Sequence, residues 1–131
     1  MKKVRNFKTL DAWKLCHKLM LEGYKFCEFL PKDEKYNRVS QIKRAVSSPP
    51  ANIAEGYGRY HWQEAIQFCR NARGSIDEVT NHVIAARDLG QVPEQECEKI
   101  LELCQKARKV VNGYIRFLRR KKYEFDGKDS K

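Results

Sequence analysis

Active sites and metal centres are built from histidines, cysteines and convergent carboxylates, and this 131-residue chain spreads those side chains thinly. His17, His61 and His82 fall in three separate segments. Glu78 and His82 stand one helical turn apart, a spacing that puts two metal ligands on one helix face. A di-metal carboxylate bundle, however, needs paired Glu-x-x-His motifs and two further glutamates, and the chain lacks them. Cys16, Cys27, Cys69, Cys97 and Cys104 form no Cys-x-x-Cys pair and are odd in number. Neither a zinc ribbon nor a disulfide framework is indicated. Each cysteine falls on or beside an apolar stripe and reads as a small core hydrophobe. Gly56-Tyr57-Gly58 follows a helical pattern instead of preceding one, the wrong order for a phosphate cradle. These residues point away from an enzyme, a cofactor or a metal.

Charge is the stronger signal. Twenty-seven lysines and arginines against 17 acidic residues give +10, which suits a negative partner, most simply nucleic acid. Lys106 to Lys122 holds eight basic residues and no acidic one, whereas Glu94 to Glu102 holds four glutamates and one lysine. The candidate phosphate ligands are Lys43, Arg44 and Arg59 on the second helix and its exit, and Arg70 and Arg73 on the third. The fourth adds Arg108, Lys109, Arg116, Arg119, Arg120, Lys121 and Lys122. Arg116 and Arg120 lie one turn apart with Arg119 beside them. Such a cluster contacts phosphates and reads no bases, so RNA or DNA would be bound with little sequence specificity. Tyr60 and His61, beside Arg59, are stacking candidates. Trp13, Tyr57 and Trp62 lie on apolar stripes and read as core. The rival reading is a protein-interaction scaffold whose charge serves solubility or an acidic protein partner.

Four helices must position these residues. The first is expected over about Leu10–Phe29, with Trp13, Cys16, Met20, Tyr24 and Cys27 as its stripe, widened by Leu15, Leu19, Phe26 and Leu30. Thr9 and Asp11 supply its cap and first-turn acid. The second spans about Lys35–Tyr57. The third carries Trp62, Ala65, Cys69, Ala72, Ile76, Val79, Val83 and Ala86 at unbroken three-four spacing. Gly74 lies within this helix, where it would make room for a neighbour. Leu89-Gly90 stops it, and Pro93 takes the first position of the fourth, whose stripe is Cys97, Ile100, Cys104, Ala107, Val111, Tyr114 and Leu118. The fold class is all-α, a left-handed up-down-up-down four-helix bundle over residues 1–122 with a proline-kinked second helix. Residues 123–131 read as a polar, disordered tail. No run reaches the ~20 apolar residues of a membrane span. Met1–Asn6 is basic with no apolar segment behind it, so a cytoplasmic protein without a signal peptide is expected.

Ser40–Arg59 is the least ordinary stretch. Val39, Ile42, Val46, Ile53 and Tyr57 keep helical spacing, yet Pro49 and Pro50 interrupt it. Neither proline donates an N–H, so the Ala45 and Val46 carbonyls lose their partners and a kink is expected. Ser47 and Ser48 hydroxyls are at hand to cover orphaned groups. Asn52 and Glu55 have capping-box spacing and would restart the helix. Ala45, Ser48, Asn52 and Gly56 form a small-residue edge against which another helix can approach closely.

Ser40–Arg59 also resembles a family signature, S-Q-[IL]-[RK]-R-A-x-x-S-x-P-x-N-I-A-E-G-x-G-R. It is that of the small four-helix-bundle proteins encoded in intervening sequences of bacterial 23S ribosomal RNA genes. The resemblance extends to Phe7–Lys14 and to Gly74, Ser75 and Glu78, and covers residues 5–122. Ser47 stands where members usually carry an apolar residue, and Pro49 where they carry isoleucine or valine. The resemblance implies a ring-forming homo-oligomer, a pentamer. It also implies a fold similar to the accessory variability protein of diversity-generating retroelements, which works with a reverse transcriptase and nucleic acid.

Overall fold

The computed structural model describes residues 6–129, with side chains through Gly127; residues 1–5 and 130–131 lie outside it. It comprises α1 (Asp11–Cys27), α2 (Arg38–Tyr57), α3 (Trp62–Asp88) and α4 (Glu94–Asp129). Short 3-10 turns lie at Phe7–Thr9 and Lys32–Glu34. No strand occurs among the described residues. Each helix packs on its sequence neighbours and α1 closes on α4, whereas among the described residues the diagonal pairs bring no Cα atoms within 8 Å of each other.

Local chemistry sets the boundaries. Thr9 is not the cap of α1: its hydroxyl donates to the Asn6 carbonyl inside the first 3-10 turn, and Leu10 occupies the cap position. At the end of α3, Gly90 takes φ +69°, and the Gln91 N–H returns to the Ala86 carbonyl at 2.9 Å. That left-handed turn is why glycine stands there. Pro93 sits just before α4, where its carbonyl accepts the Glu96 and Cys97 N–H groups. Helix α4 does not end at Lys122. The residues from Tyr123 onward, expected to be disordered, continue it to Asp129. Lys121 pairs with Glu124 at 3.6 Å and Lys122 with Asp126 at 3.0 Å, spacings that support helix.

Cross-helix contacts establish the antiparallel order. Between α1 and α2, Gly23 meets Val46 while the Cys27 thiol reaches the Val39 carbonyl. Between α2 and α3, Arg38 meets His82, Ser48 meets Ser75, and Gly56 lies against Ala65 and Phe68. Between α3 and α4, Arg73 meets Asn112, Asp77 meets Arg108, and Arg87 meets Glu98. Rising numbers on one helix always face falling numbers on the next. The bundle is up-down-up-down.

The α3 and α4 stripes are buried in a core that all four helices share, with Trp62 and Tyr114 half-buried at its edge. On α1 the buried line is Ala12, Cys16, Leu19, Gly23, Phe26 and Cys27. It is displaced from the expected one, leaving Trp13 and Met20 half-buried and Tyr24 44% exposed. The cause is Gly23. A Cβ there would stand 2.6 Å from Val46 Cγ1, so glycine lets α1 close on α2 and turns Tyr24 outward.

Helix α2 runs unbroken through Pro49 and Pro50, both buried. The restart expected at Asn52 does not occur. Asn52 Nδ2 donates back to the Ser48 carbonyl at 3.0 Å and to Ser48 Oγ at 2.9 Å, while exposed Glu55 accepts from Arg59. The pair therefore forms no capping box: Asn52 is mid-helix, and its amide is taken by the preceding turn. Ser47 Oγ donates to the Lys43 carbonyl at 2.7 Å, so the residues flanking the prolines on both sides return side-chain bonds to the preceding turns. An interior proline costs about 3 kcal/mol, and burial of both rings in the core offsets that cost.

Gly74 makes room for no neighbour among the described residues. It is exposed, and nothing lies within 4 Å of the place its Cβ would occupy. The glycines of close approach are Gly23 and Gly56. Gly23→Ala should destabilise by about 1–3 kcal/mol through overpacking against the stiff Val46 side chain. Gly74→Ala should stabilise by about 0.5–1 kcal/mol. Denaturant melts of the two variants check the pair; equal effects would contradict this assignment of the contacts.

Candidate nucleic-acid interface

Antiparallel packing brings the end of α2, the start of α3 and the end of α4 to one end of the bundle. Glu94, Glu96, Glu98 and Glu102 open α4 at the opposite end. The molecule is therefore polarised, basic at one end and acidic along part of the other.

The twelve candidate cations divide by what they touch. Arg59 bonds Glu55 at 3.2 Å, approaches Glu64 at 3.9 Å and lies 4.8 Å over the Phe68 ring. Arg108 grips Asp77 with two hydrogen bonds, of 2.8 and 3.4 Å. Lys121 and Lys122 are held by Glu124 and Asp126. Lys43 lies 5.2 Å over the Tyr24 ring, on the α1–α2 side. Arg44 is exposed but lies 15 residues before Arg59, about 22 Å along the helix. These six do not make one face.

Helix register puts the other six, Arg70, Arg73, Lys109, Arg116, Arg119 and Arg120, along the α3–α4 seam and the adjoining outer face of α4. Arg73 Nη1 donates to Asn112 Oδ1 at 2.9 Å, and one turn away Asp77 holds Arg108. Continued one turn the other way, this register puts Arg70 opposite Arg116. On α4, Lys109, Arg116 and Arg120 share a face, with Arg119 on its edge toward α3. Gly113 belongs to the same strip. An Arg116 guanidinium nitrogen lies 3.6 Å from where a Gly113 Cβ would stand, so the arginine lies back along α4. Among the described residues, no carboxylate lies within 4.0 Å of any of these six cations. Sequence reasoning missed Asn112, Gly113 and Tyr123. The i+7 spacing of Tyr123 from Arg116 was the available signal.

The motif residues serve another seam. Pro49, Pro50 and Gly56 are buried, and Ser48 Oγ accepts from both Asn52 and Ser75. Asn52 and its neighbours thus tie α2 to α3, away from the arginine strip. Of the two stacking candidates, Tyr60 is 98% exposed at the α2–α3 turn, and His61 adjoins it at the start of α3.

His82 is buried on α3, where its Nδ1 lies 2.9 Å from Arg38 Nη1. Because a guanidinium only donates, Nδ1 accepts, and Nε2 carries the proton 3.9 Å from Glu78. Burial holds the His82 pKa below its usual 6.5, and the charges of Arg38 and Arg44 lower it further against the opposing pull of Glu78. Burial also pushes the Cys16 and Cys69 thiols up to about 12 and that of Cys104 to about 11, so these sulfurs are neutral and unreactive. Among the described residues, no three histidine, cysteine or carboxylate groups gather as a metal site. Nor is any helix there long and apolar enough to cross a membrane.

Fold and strip together define a class, the basic four-helix-bundle proteins. Within it, the model of the family described as 23S rRNA-intervening sequence protein matches residues 8–113. This chain belongs to that family. Comparison with curated proteins finds no match. Arg116, Arg119, Arg120 and Tyr123 lie beyond the matched span.

The depressed His82 pKa fixes a sign. An unfolded histidine takes up a proton near pH 6.5 and the buried one resists it, so this stabilisation is complete above pH 6.5. It is lost progressively as pH falls below that value. Denaturant unfolding should show this loss between pH 7 and 5, and His82→Gln should remove it. An unchanged pH profile in His82→Gln would show that the Arg38–His82 contact does not couple folding to protonation.

Proposed function

We propose that this protein is a non-enzymatic, homo-oligomeric nucleic-acid-binding protein. It holds the phosphates of RNA or DNA along the α3–α4 seam with little sequence preference. The observation that carries this reading is the alignment of six cations along this seam and the adjoining outer face of α4 without a neutralising carboxylate among the described residues. Lys109 to Arg120 spans about 16 Å of helix, roughly five nucleotides of one strand at ~3.4 Å each. Affinity then comes mainly from release of condensed counterions, a term that falls steeply with salt. The setting we assign is accessory, with RNA that carries a 23S intervening sequence or with a retroelement reverse transcriptase.

The scaffold reading keeps one observation in its favour. Arg59, Arg108, Lys121 and Lys122 are already balanced by the protein's own acids. One triple variant separates the readings. With Arg116, Arg119 and Arg120 changed to glutamine, the slope of log affinity for RNA against log salt should flatten by about one per lost contact. Melting should drop by no more than about 0.3–1 kcal/mol per charge, the scale of dipole compensation. An unchanged slope with only the stability loss would assign these arginines to the helix dipole and remove the function.

Homo-oligomerisation is supported by the family resemblance and by apolar side chains left exposed on α1 and α4, among them Leu21, Phe117 and Phe125. A pentamer would multiply the strip around a ring and raise affinity through avidity. Light scattering behind a sizing column should give about five times 15.4 kDa. A clean monomer at micromolar concentration would remove the ring and the avidity with it.

A further inference from the structure

We infer that Tyr123 is a base-stacking platform at the end of the arginine strip, and that the preferred ligand is an unpaired strand, not a duplex. The inference rests on the phosphate-binding role proposed for the seam and narrows its ligand. Tyr123 is 81% exposed, so burial does not account for a large ring at this position. It follows Arg116, Arg119 and Arg120 by seven, four and three residues, which places all four on one helix face. Helix carries this face past Tyr123, since Lys122 and Asp126 pair across that turn. The ring is therefore mounted on a rigid element beside three uncommitted guanidinium groups.

Other exposed aromatics lack that combination. Phe117 stacks on Tyr114 at 6.2 Å and lies under the Lys121 ammonium at 5.7 Å. Tyr36 lies under Lys35, at the α1–α2 connection. Tyr60 adjoins Arg59, whose guanidinium is committed to Glu55 and Glu64. Among these rings, Tyr123 alone is aligned with three arginines that have no carboxylate partner among the described residues.

Chemistry then selects the ligand. A phosphate strip binds either a single strand or a duplex, because both present the same anions. An open aromatic ring discriminates, because a duplex hides its base faces except at its ends. Every base has a π-face, so stacking on Tyr123 adds affinity without adding sequence preference.

The experiment uses the full chain and one mixed-sequence RNA, presented single-stranded or as a blunt duplex, in fluorescence-anisotropy titrations at fixed salt. Tyr123→Ala should weaken single-strand binding about 5-fold or more, the lower end of what one stacked base contributes. It should leave duplex binding unchanged, and Tyr123→Phe should bind both forms as the native protein does. The Arg116→Gln, Arg119→Gln, Arg120→Gln variant should weaken both forms. If Tyr123→Ala binds the single strand normally while the arginine variant does not, the stacking inference falls and the phosphate-binding reading stands. If the arginine variant binds both forms normally, both fall.

Discussion

The constraint on which the rest of the structure depends is the axial register of α3. Apolar stripes at three-four spacing hold helices together without strongly fixing how far one slides along another, because hydrophobic burial is non-directional. Polar contacts remove that freedom. On one side, Ser75 donates to Ser48 at 2.8 Å, with the Asn52 amide anchored on the same oxygen. On the other, Arg73 reaches Asn112 at 2.9 Å and Asp77 holds Arg108. A slip of one turn, about 5.4 Å, would strand these groups at part-buried positions, at about 1–3 kcal/mol for each unsatisfied atom. The exposed Asp77–Arg108 pair contributes least to this penalty. Fixed register also sets the charge pattern: it places Arg73 level with Asn112 and Arg70 level with Arg116, so the basic residues of α3 fall beside the stretch of α4 between Lys109 and Arg120.

Helix α2 shows how an unfavourable sequence is accommodated. Two adjacent interior prolines remove two backbone donors. Their rings are buried, and Ser47 and Asn52, which flank them, return side-chain bonds to the Lys43 and Ser48 carbonyls of the preceding turns. Family-signature letters at Ser48, Asn52 and Gly56, together with Ser75, thus converge on the α2–α3 contact, while Pro50 is buried in the core. Their geometry accounts for them as packing and hydrogen bonding, without a ligand.

Much of this was legible in the residues. Unbroken spacing from Trp62 to Ala86 and from Cys97 to Leu118 identifies two helices and their buried faces, because a bundle core demands that period. Misreadings came where a contact from another helix decides. Gly23 carries no local sign that it faces Val46, so the α1 stripe was displaced. Gly74 resembles a close-approach glycine and is open. Asn52 and Glu55 have capping-box spacing, but a cap requires a chain break that buried prolines did not produce. The tail composition suggested disorder, whereas pairs between Lys121 or Lys122 and acids three or four residues on extend α4. The basic candidates divide by pairing, a division that their spacing does not show. Which of them are already paired depends on Asp77, Glu64 and other acids brought near by folding.

The central claim is that the α3–α4 seam is the surface that meets nucleic acid. Photo-crosslinking of RNA to the full-length protein, followed by identification of the crosslinked peptides, tests it most directly. The account predicts crosslinks concentrated on α3 around Arg70 and Arg73 and on α4 from Lys109 to Tyr123. Crosslinks concentrated instead on the outer α1–α2 side, around Trp13, Tyr24 and Lys43, would contradict it.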